Sequence, residues 1–263
     1  MPSGPPGNSA LPDLPVVEAI PAVRAALLQQ RRAVLVAPPG AGKTTVIPLA
    51  LLDEAWLAGQ RIVMLEPRRL ATRAAARRMA ETTRTAVGGL VGYQTRDERH
   101  IGTDTRIEVV TEGVLTRRLQ NDPEWPGIGL VIFDEVHERN LTTDLGLALA
   151  LDVASTIRPE LRLLAMSATP DVDALTALLD ASVIESEGRM FDVEMHWAPR
   201  SPTGGGRNAG GRRGGRPSRP GPGGANRIEP DVVAAVNRAL REQAGDVLVF
   251  LPGIGEIRRS ESM

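Results

Sequence analysis

Two short stretches of the 263-residue chain carry residue types whose spacing suits chemistry on phosphate. The first is Ala37-Pro38-Pro39-Gly40-Ala41-Gly42-Lys43-Thr44-Thr45. It follows an apolar run and opens a helical pattern, the strand, turn and helix context that a phosphate-binding loop needs. Such a turn aims backbone N–H groups at phosphate oxygens, and the N-terminus of the next helix adds a favourable dipole. Gly40 and Gly42 permit close backbone approach. Lys43 would supply a charge, and the Thr44 hydroxyl suits a Mg2+ ligand. Ala37 stands where the strict pattern has glycine; it starts the turn and has no phosphate to touch.

The second stretch is Leu130-Val131-Ile132-Phe133-Asp134-Glu135-Val136-His137-Glu138-Arg139, a buried-strand pattern ending in two carboxylates. An acid at the C-terminal end of a strand, beside a phosphate loop, sits where a Mg2+ ligand belongs. Asp134 would hold the metal, directly or through water, and Glu135 would orient and deprotonate an attacking water. Taken alone, the Asp-Glu pair is a weak signal, because acids are also favourable at helix N-termini. Paired with the loop it is a strong one.

These groups need a scaffold, and the apolar patterning supplies one. Apolar runs at 33–37, 61–65, 90–94, 106–110, 129–133 and 161–166 read as strands. Helical patterns at 44–57, 70–81, 113–120 and 142–156 separate several of them, and a short helix with Pro21 in its first turn precedes the first strand. Short apolar strands alternating with helices imply an α/β fold with a mostly parallel sheet and helices on both faces. The sheet is expected to finish with strands at 182–185 and 191–197. Beyond a Gly/Arg/Pro-rich insert, a helix over 230–241, a strand over 246–251 and a helix after Gly253 follow. This last piece is too short to close a core of its own.

Composition removes several functional classes. The chain has no cysteine, which excludes disulfides and thiolate metal sites and suits a reducing cytoplasm. No stretch approaches the ~18 apolar residues of a membrane span. The formal net charge is −1, so binding to a polyanion must come from local patches. Aromatic residues make up 3%, too few for an extended base-stacking platform. His100 and His196 lack metal-ligand partners at useful spacing and read as structural or surface residues.

With these residues in view, the chain resembles a known family. Asp134-Glu135-Val136-His137 is similar to the box that defines DEAH-type superfamily 2 helicases, with Val136 in place of alanine. Ser167-Ala168-Thr169 resembles the family motif that links hydrolysis to strand movement. Glu66-Pro67-Arg68-Arg69-Leu70 and Thr111-Glu112-Gly113-Val114-Leu115 resemble the two first-domain motifs that touch a nucleic-acid backbone. Phe250-Leu251-Pro252-Gly253-Ile254-Gly255-Glu256 resembles the first motif of a second motor domain. The wording is closest to the bacterial HrpB group of ATP-dependent helicases, over roughly 14–197 and 228–258.

The resemblance implies a RecA-like P-loop domain over 16–198, after a flexible leader over 1–15. A disordered linker over 199–227 and the start of a second RecA-like domain over 228–263 would follow. It implies ATP, or another nucleoside triphosphate, and Mg2+ as cofactors, and single-stranded nucleic acid, expected to be RNA, as partner. Pro67, Arg68, Arg69, Thr111, Glu112 and Gly113 would meet the strand, and His137 would couple the nucleotide site to an opposing domain. In the family the second domain supplies arginines to the transition state from a late Gln-Arg-Gly-Arg-type motif. No such motif follows Ile228, so slow hydrolysis and no unwinding are expected of this polypeptide.

Several alternatives stay open on the residues alone. Arg73, Arg77 and Arg78 could grip phosphate or form a solvated helix face. The insert carries seven arginines, Arg200 to Arg227, and no acid; it could bind RNA or be a plain linker. RNA and DNA are not distinguished, because 2′-hydroxyl contacts cannot be read from sequence. A non-motor nucleic-acid-binding module that keeps the loop as architecture is the main competing function. Another P-loop NTPase is a third, and the Thr111-Glu112-Gly113 and Ser167-Ala168-Thr169 motifs count against it.

Overall fold

The computed structural model describes residues 11–188, 192–198 and 227–263. The first ten residues, residues 189–191 and the Arg/Gly insert over 199–226 lie outside them, and so do the expectations made for those segments. The chain divides into two compact units, Met1–Phe191 and Asp192–Met263.

The first unit runs α1 (Ile20–Gln29), β1 (Arg32–Val36), α2 (Lys43–Ala50), β2 (Arg61–Leu65), α3 (Arg69–Thr82), β3 (Val91–Gln94) and β4 (Arg99–His100). It continues through β5 (Ile107–Val110), α4 (Glu112–Asn121), β6 (Ile128–Phe133), α5 (Leu141–Thr156), β7 (Arg162–Ser167), α6 (Asp173–Leu179) and β8 (Ser182–Glu185). The strands form one eight-stranded sheet in the order β4-β3-β5-β2-β6-β7-β1-β8. Every pairing is parallel except β3 with the two-residue β4. All residues of β5 and β6 are buried, as expected for strands covered on both faces. One core packs α1, α2 and α3 on one face, around Leu27, Ile47, Met79 and Ile132. The other packs α4, α5 and α6 on the opposite face, around Leu115, Phe133, Leu147 and Leu179.

This topology fixes the site. Strands β1, β7 and β6 are consecutive neighbours, so the loops leaving their C-terminal ends lie side by side. Those loops carry the glycine-rich turn, Ser167-Ala168-Thr169 and Asp134-Glu135 respectively. The register places Leu65 opposite Phe133 across β2 and β6, so the next residues, Glu66 and Asp134, leave the sheet together.

The structure departs from expectation in several places. Helix α2 ends at Ala50 and does not reach 57; it contains Pro48, whose ring nitrogen carries no N–H to bond residue 44. A 3-10 turn, Ala55–Leu57, covers part of the remainder. Leu11 and Leu14, from the expected flexible leader, pack against the first core, and a 3-10 turn over Pro15–Ala19 follows them. Helix α6 and strand β4 were not anticipated, being too short for periodicity to show. Residues 192–198 form no strand.

In the second unit, α7 (Glu229–Glu242) and α8 (Ile254–Glu261) form, but 246–251 pairs with no strand. A strand gains its hydrogen bonds only from a neighbour, and among the described residues this segment has none. Arg259 pairs with Glu229, and with Glu256 at 2.7 Å, tying α8 to the start of α7. Leu248 and Phe250 stay largely exposed.

Candidate nucleotide and nucleic-acid site

Lys43 is the only lysine in a chain with 31 lysines and arginines together; the rest are arginine. It opens α2, is buried to 5% exposure, and its Nζ lies 3.2 Å from Glu135 Oε1. The turn before it is built by conformation. Gly40 and Gly42 have φ of +79° and +94°, where a side chain would be strained. A Cβ on Gly42 would also meet Leu14 Cδ1 at 2.6 Å. Ala37 N–H donates to the Ser167 carbonyl at 3.0 Å, anchoring the turn to the end of β7.

Asp134 ends β6 with no exposed surface. Its Oδ2 accepts the Thr44 hydroxyl at 2.5 Å and its Oδ1 accepts the Glu135 N–H at 2.9 Å. Burial lifts its carboxyl from the usual 3.8 to about 6; the Glu135 charge adds to the lift, while the Thr44 hydrogen bond and the Lys43 ammonium oppose it. Glu135 itself sits in the left-handed region, at φ 54°, ψ 36°. A non-glycine residue there costs on the order of 1–2 kcal/mol, and such strain gathers at functional positions.

Thr44 and Asp134 offer two hard oxygen donors within contact of each other beside a buried cation. That set fits Mg2+, which takes one or two protein oxygens and completes its shell with phosphate and water. Pro39, Thr44, Thr45, Glu66, Arg68 and Glu135 line a cavity of about 500 Å³ on this side of the loop.

His137 bridges two motifs. Its Nδ1 accepts the Ala168 N–H at 3.2 Å, so the ring proton sits on Nε2, which faces Glu135 Oε2 at 3.4 Å. The Ser167 hydroxyl donates to the Thr169 carbonyl at 2.8 Å and accepts the Thr169 N–H at 3.1 Å, holding that turn rigid. The Asp134–His137 box therefore touches Ser167-Ala168-Thr169 through one imidazole.

The residues expected to meet nucleic acid divide between two clefts. Pro67, Arg69, Thr111, Glu112 and Gly113 share a cleft of about 440 Å³. Arg96 and Arg117 join them, two arginines that sequence reasoning did not name. Arg68 instead lines the cavity at the phosphate loop and pairs with Glu138. Arg69 pairs with Asp97 at 2.6 Å and Arg73 with Glu98 at 2.9 Å. The Glu112 carboxylate accepts hydroxyls from Thr142 at 3.0 Å and Thr143 at 2.7 Å.

Glu66 is the strongest feature that no motif pointed to as part of the nucleotide site. It is 4% exposed, and burial raises its carboxyl from the usual 4.5 to about 8, helped by the charges of Asp134 and Glu135 and opposed by Arg68. Strand ends in register could have pointed to it, once β2 and β6 were known to be neighbours.

Residues 18–178 match the DEAD/DEAH box helicase family. The chain belongs to that family. Among its helicase relatives, it is 45% identical to the Escherichia coli protein named ATP-dependent RNA helicase HrpB, over 94% of this chain and 28% of that protein. It is 31% identical to the Haemophilus influenzae protein named ATP-dependent RNA helicase HrpA homolog, over 88% of this chain and 16% of that one. The crystal structure of the Escherichia coli DEAH/RHA helicase HrpB superposes with a TM-score of 0.78 at 43% identity, covering 95% of this chain and 29% of that chain. This chain thus spans less than a third of the length of these relatives. The expected α/β helicase fold, with its mostly parallel sheet, is the fold observed. No helix among the described residues is long and apolar enough to cross a membrane.

Proposed function

We propose that the chain is the nucleotide-binding part of an ATP-dependent RNA helicase. The observation that carries this reading is the convergence of two motifs 90 residues apart: Thr44 on Asp134 and Lys43 on Glu135. A structural relic of the loop has no need of all four groups in contact. In this reading residues 37–45 wrap the phosphates with backbone N–H groups, Lys43 exchanges its Glu135 partner for phosphate oxygens, and Thr44 and Asp134 hold Mg2+. The bound Mg2+ supplies charge neutralisation at the phosphates. Glu135 orients the attacking water and takes its proton, and His137 relays the position of Glu135 to Ser167-Ala168-Thr169. A cytoplasmic location belongs to the same proposal and is supported by the cysteine-free composition.

RNA as the substrate is supported by the names of the relatives and by the Arg69, Arg96 and Arg117 cleft, whose guanidinium groups suit phosphate. The test is ATP hydrolysis by the purified chain, with and without single-stranded RNA, beside Lys43→Ala and Glu135→Gln. The expected result is slow turnover that both substitutions abolish and RNA raises. Turnover indifferent to both substitutions would exclude this site as its source.

A further inference from the structure

The two turns expected to meet nucleic acid are each tied to the same short segment. That segment, 138–143, leaves the Asp134–His137 box and opens α5. From one turn, Arg68 pairs with Glu138. From the other, Glu112 takes the hydroxyl of Thr143, which is 3% exposed, at 2.7 Å. The Thr142 hydroxyl has one proton for two acceptors, Glu112 at 3.0 Å and Asn140 Oδ1 at 2.9 Å. Glu112 lines the cleft with Thr111 and Gly113, while Thr142 and Thr143, which donate to its carboxylate, do not line it.

We propose that Glu112 is a positioning residue that couples RNA binding to nucleotide binding. It does so by clamping the Thr111-Glu112-Gly113 turn onto Thr142 and Thr143 at the start of α5. A backbone phosphate seated against Thr111 and Gly113 shifts the N-terminus of α4, and Glu112 carries the shift to α5. Five residues, Val136 to Asn140, separate Glu135 from α5, and Arg68 pairs with the middle one, Glu138. Displacement of α5 therefore reaches the carboxylate that faces Lys43. The inference rests on the RNA-dependent nucleotide reading above and assigns that reading's coupling to named side chains.

Coupling is a ratio of affinities and is reciprocal between the two ligands, so it can be measured without turnover. The experiment is fluorescence anisotropy of a labelled oligouridylate on the full 263-residue chain. Binding is compared with and without Mg2+ and a β,γ-imido analogue of ATP. The wild-type chain is expected to change RNA affinity by about fivefold or more on adding nucleotide, the lower end of the usual range. Thr142→Val with Thr143→Val preserves volume and is expected to keep each ligand's separate affinity within about twofold while the coupling ratio falls towards one. Glu112→Ala is expected to lower the ratio equally, and combining it with the valine pair adds nothing further, because both break one connection.

A coupling ratio unchanged in the valine pair overturns the proposal, as does a wild-type chain that binds both ligands independently. A wild-type chain that binds neither ligand instead defeats the functional reading beneath it. Loss of both affinities in the valine pair, with Glu112→Ala retaining full coupling, shows a merely structural role and also overturns the proposal.

Discussion

At the scale of single residues, the site is governed by how much charge the protein buries. Lys43, Asp134 and Glu66 are each at most 5% exposed, and a buried charge is tolerated only where partners compensate it. Glu66 is less compensated than Asp134, with its carboxyl lifted to about 8 against about 6. A raised acid keeps its proton in the folded chain at pH values where the unfolded chain has lost it. Folded stability therefore falls as pH rises from about 4.5 towards 8, and the loss is complete above that. Replacing Glu66 with Gln should flatten this fall, which thermal unfolding at pH 5, 6.5 and 8 would show; an equal slope in the variant would mean Glu66 is not its source. Gly42→Ala should destabilise the chain by at least about 1 kcal/mol, because its φ of +94° strains any side chain. It should also weaken nucleotide binding, and denaturant unfolding beside nucleotide titration separates the two effects.

Much of the residue-level site was legible because its motifs are short and local: the glycine turn with Lys43 and Thr44, and the Asp134-Glu135 pair. What stayed hidden depended on pairing across the fold. Glu66 beside Asp134 follows from β2 lying next to β6, and Asp97 and Glu98 reach Arg69 and Arg73 only through the β3–β4 hairpin. Neither adjacency is written in a linear pattern.

At the scale of elements, strands and helices buried on both sides announced themselves by continuous apolar runs, and their boundaries were set by local chemistry. Asn140 accepts the Thr142 N–H at 3.1 Å and starts α5. The 246–251 segment shows the limit of such reading: it has the residues of a strand and, among the described residues, no neighbour to complete one. Elements also divide the expected nucleic-acid residues, since the start of α3 sends Arg69 to one cleft while Arg68 turns to the phosphate-loop cavity. Arg69→Ala should therefore weaken RNA binding and lower the slope of log affinity against log salt by about 0.7, the value of one phosphate contact on a single strand. A salt titration that leaves the slope unchanged would remove Arg69 from the strand path. The Asp97 pairing adds a second expectation: Asp97→Asn frees Arg69 and should raise RNA affinity in the same titration.

At the scale of the molecule, the sheet order brings three loops together. β1, β7 and β6 deliver the phosphate turn, the Ser167-Ala168-Thr169 turn and the acidic box to one edge, as open α/β sheets place ligands at the C-terminal ends of their strands. The nucleotide chemistry proposed for this edge draws on side chains of the first unit alone. Everything else depends on that edge being a nucleotide site built on Lys43, Thr44, Asp134 and Glu135. Equilibrium binding of a fluorescent ATP analogue with Mg2+, compared between the wild-type chain and Lys43→Ala, tests this without intermediate steps. Charge-assisted hydrogen bonds are worth ~1.5–3 kcal/mol, so binding should be saturable and should weaken by roughly ten- to a hundredfold in the variant. Equal affinity in the two proteins, with both folded, would contradict a nucleotide site at Lys43.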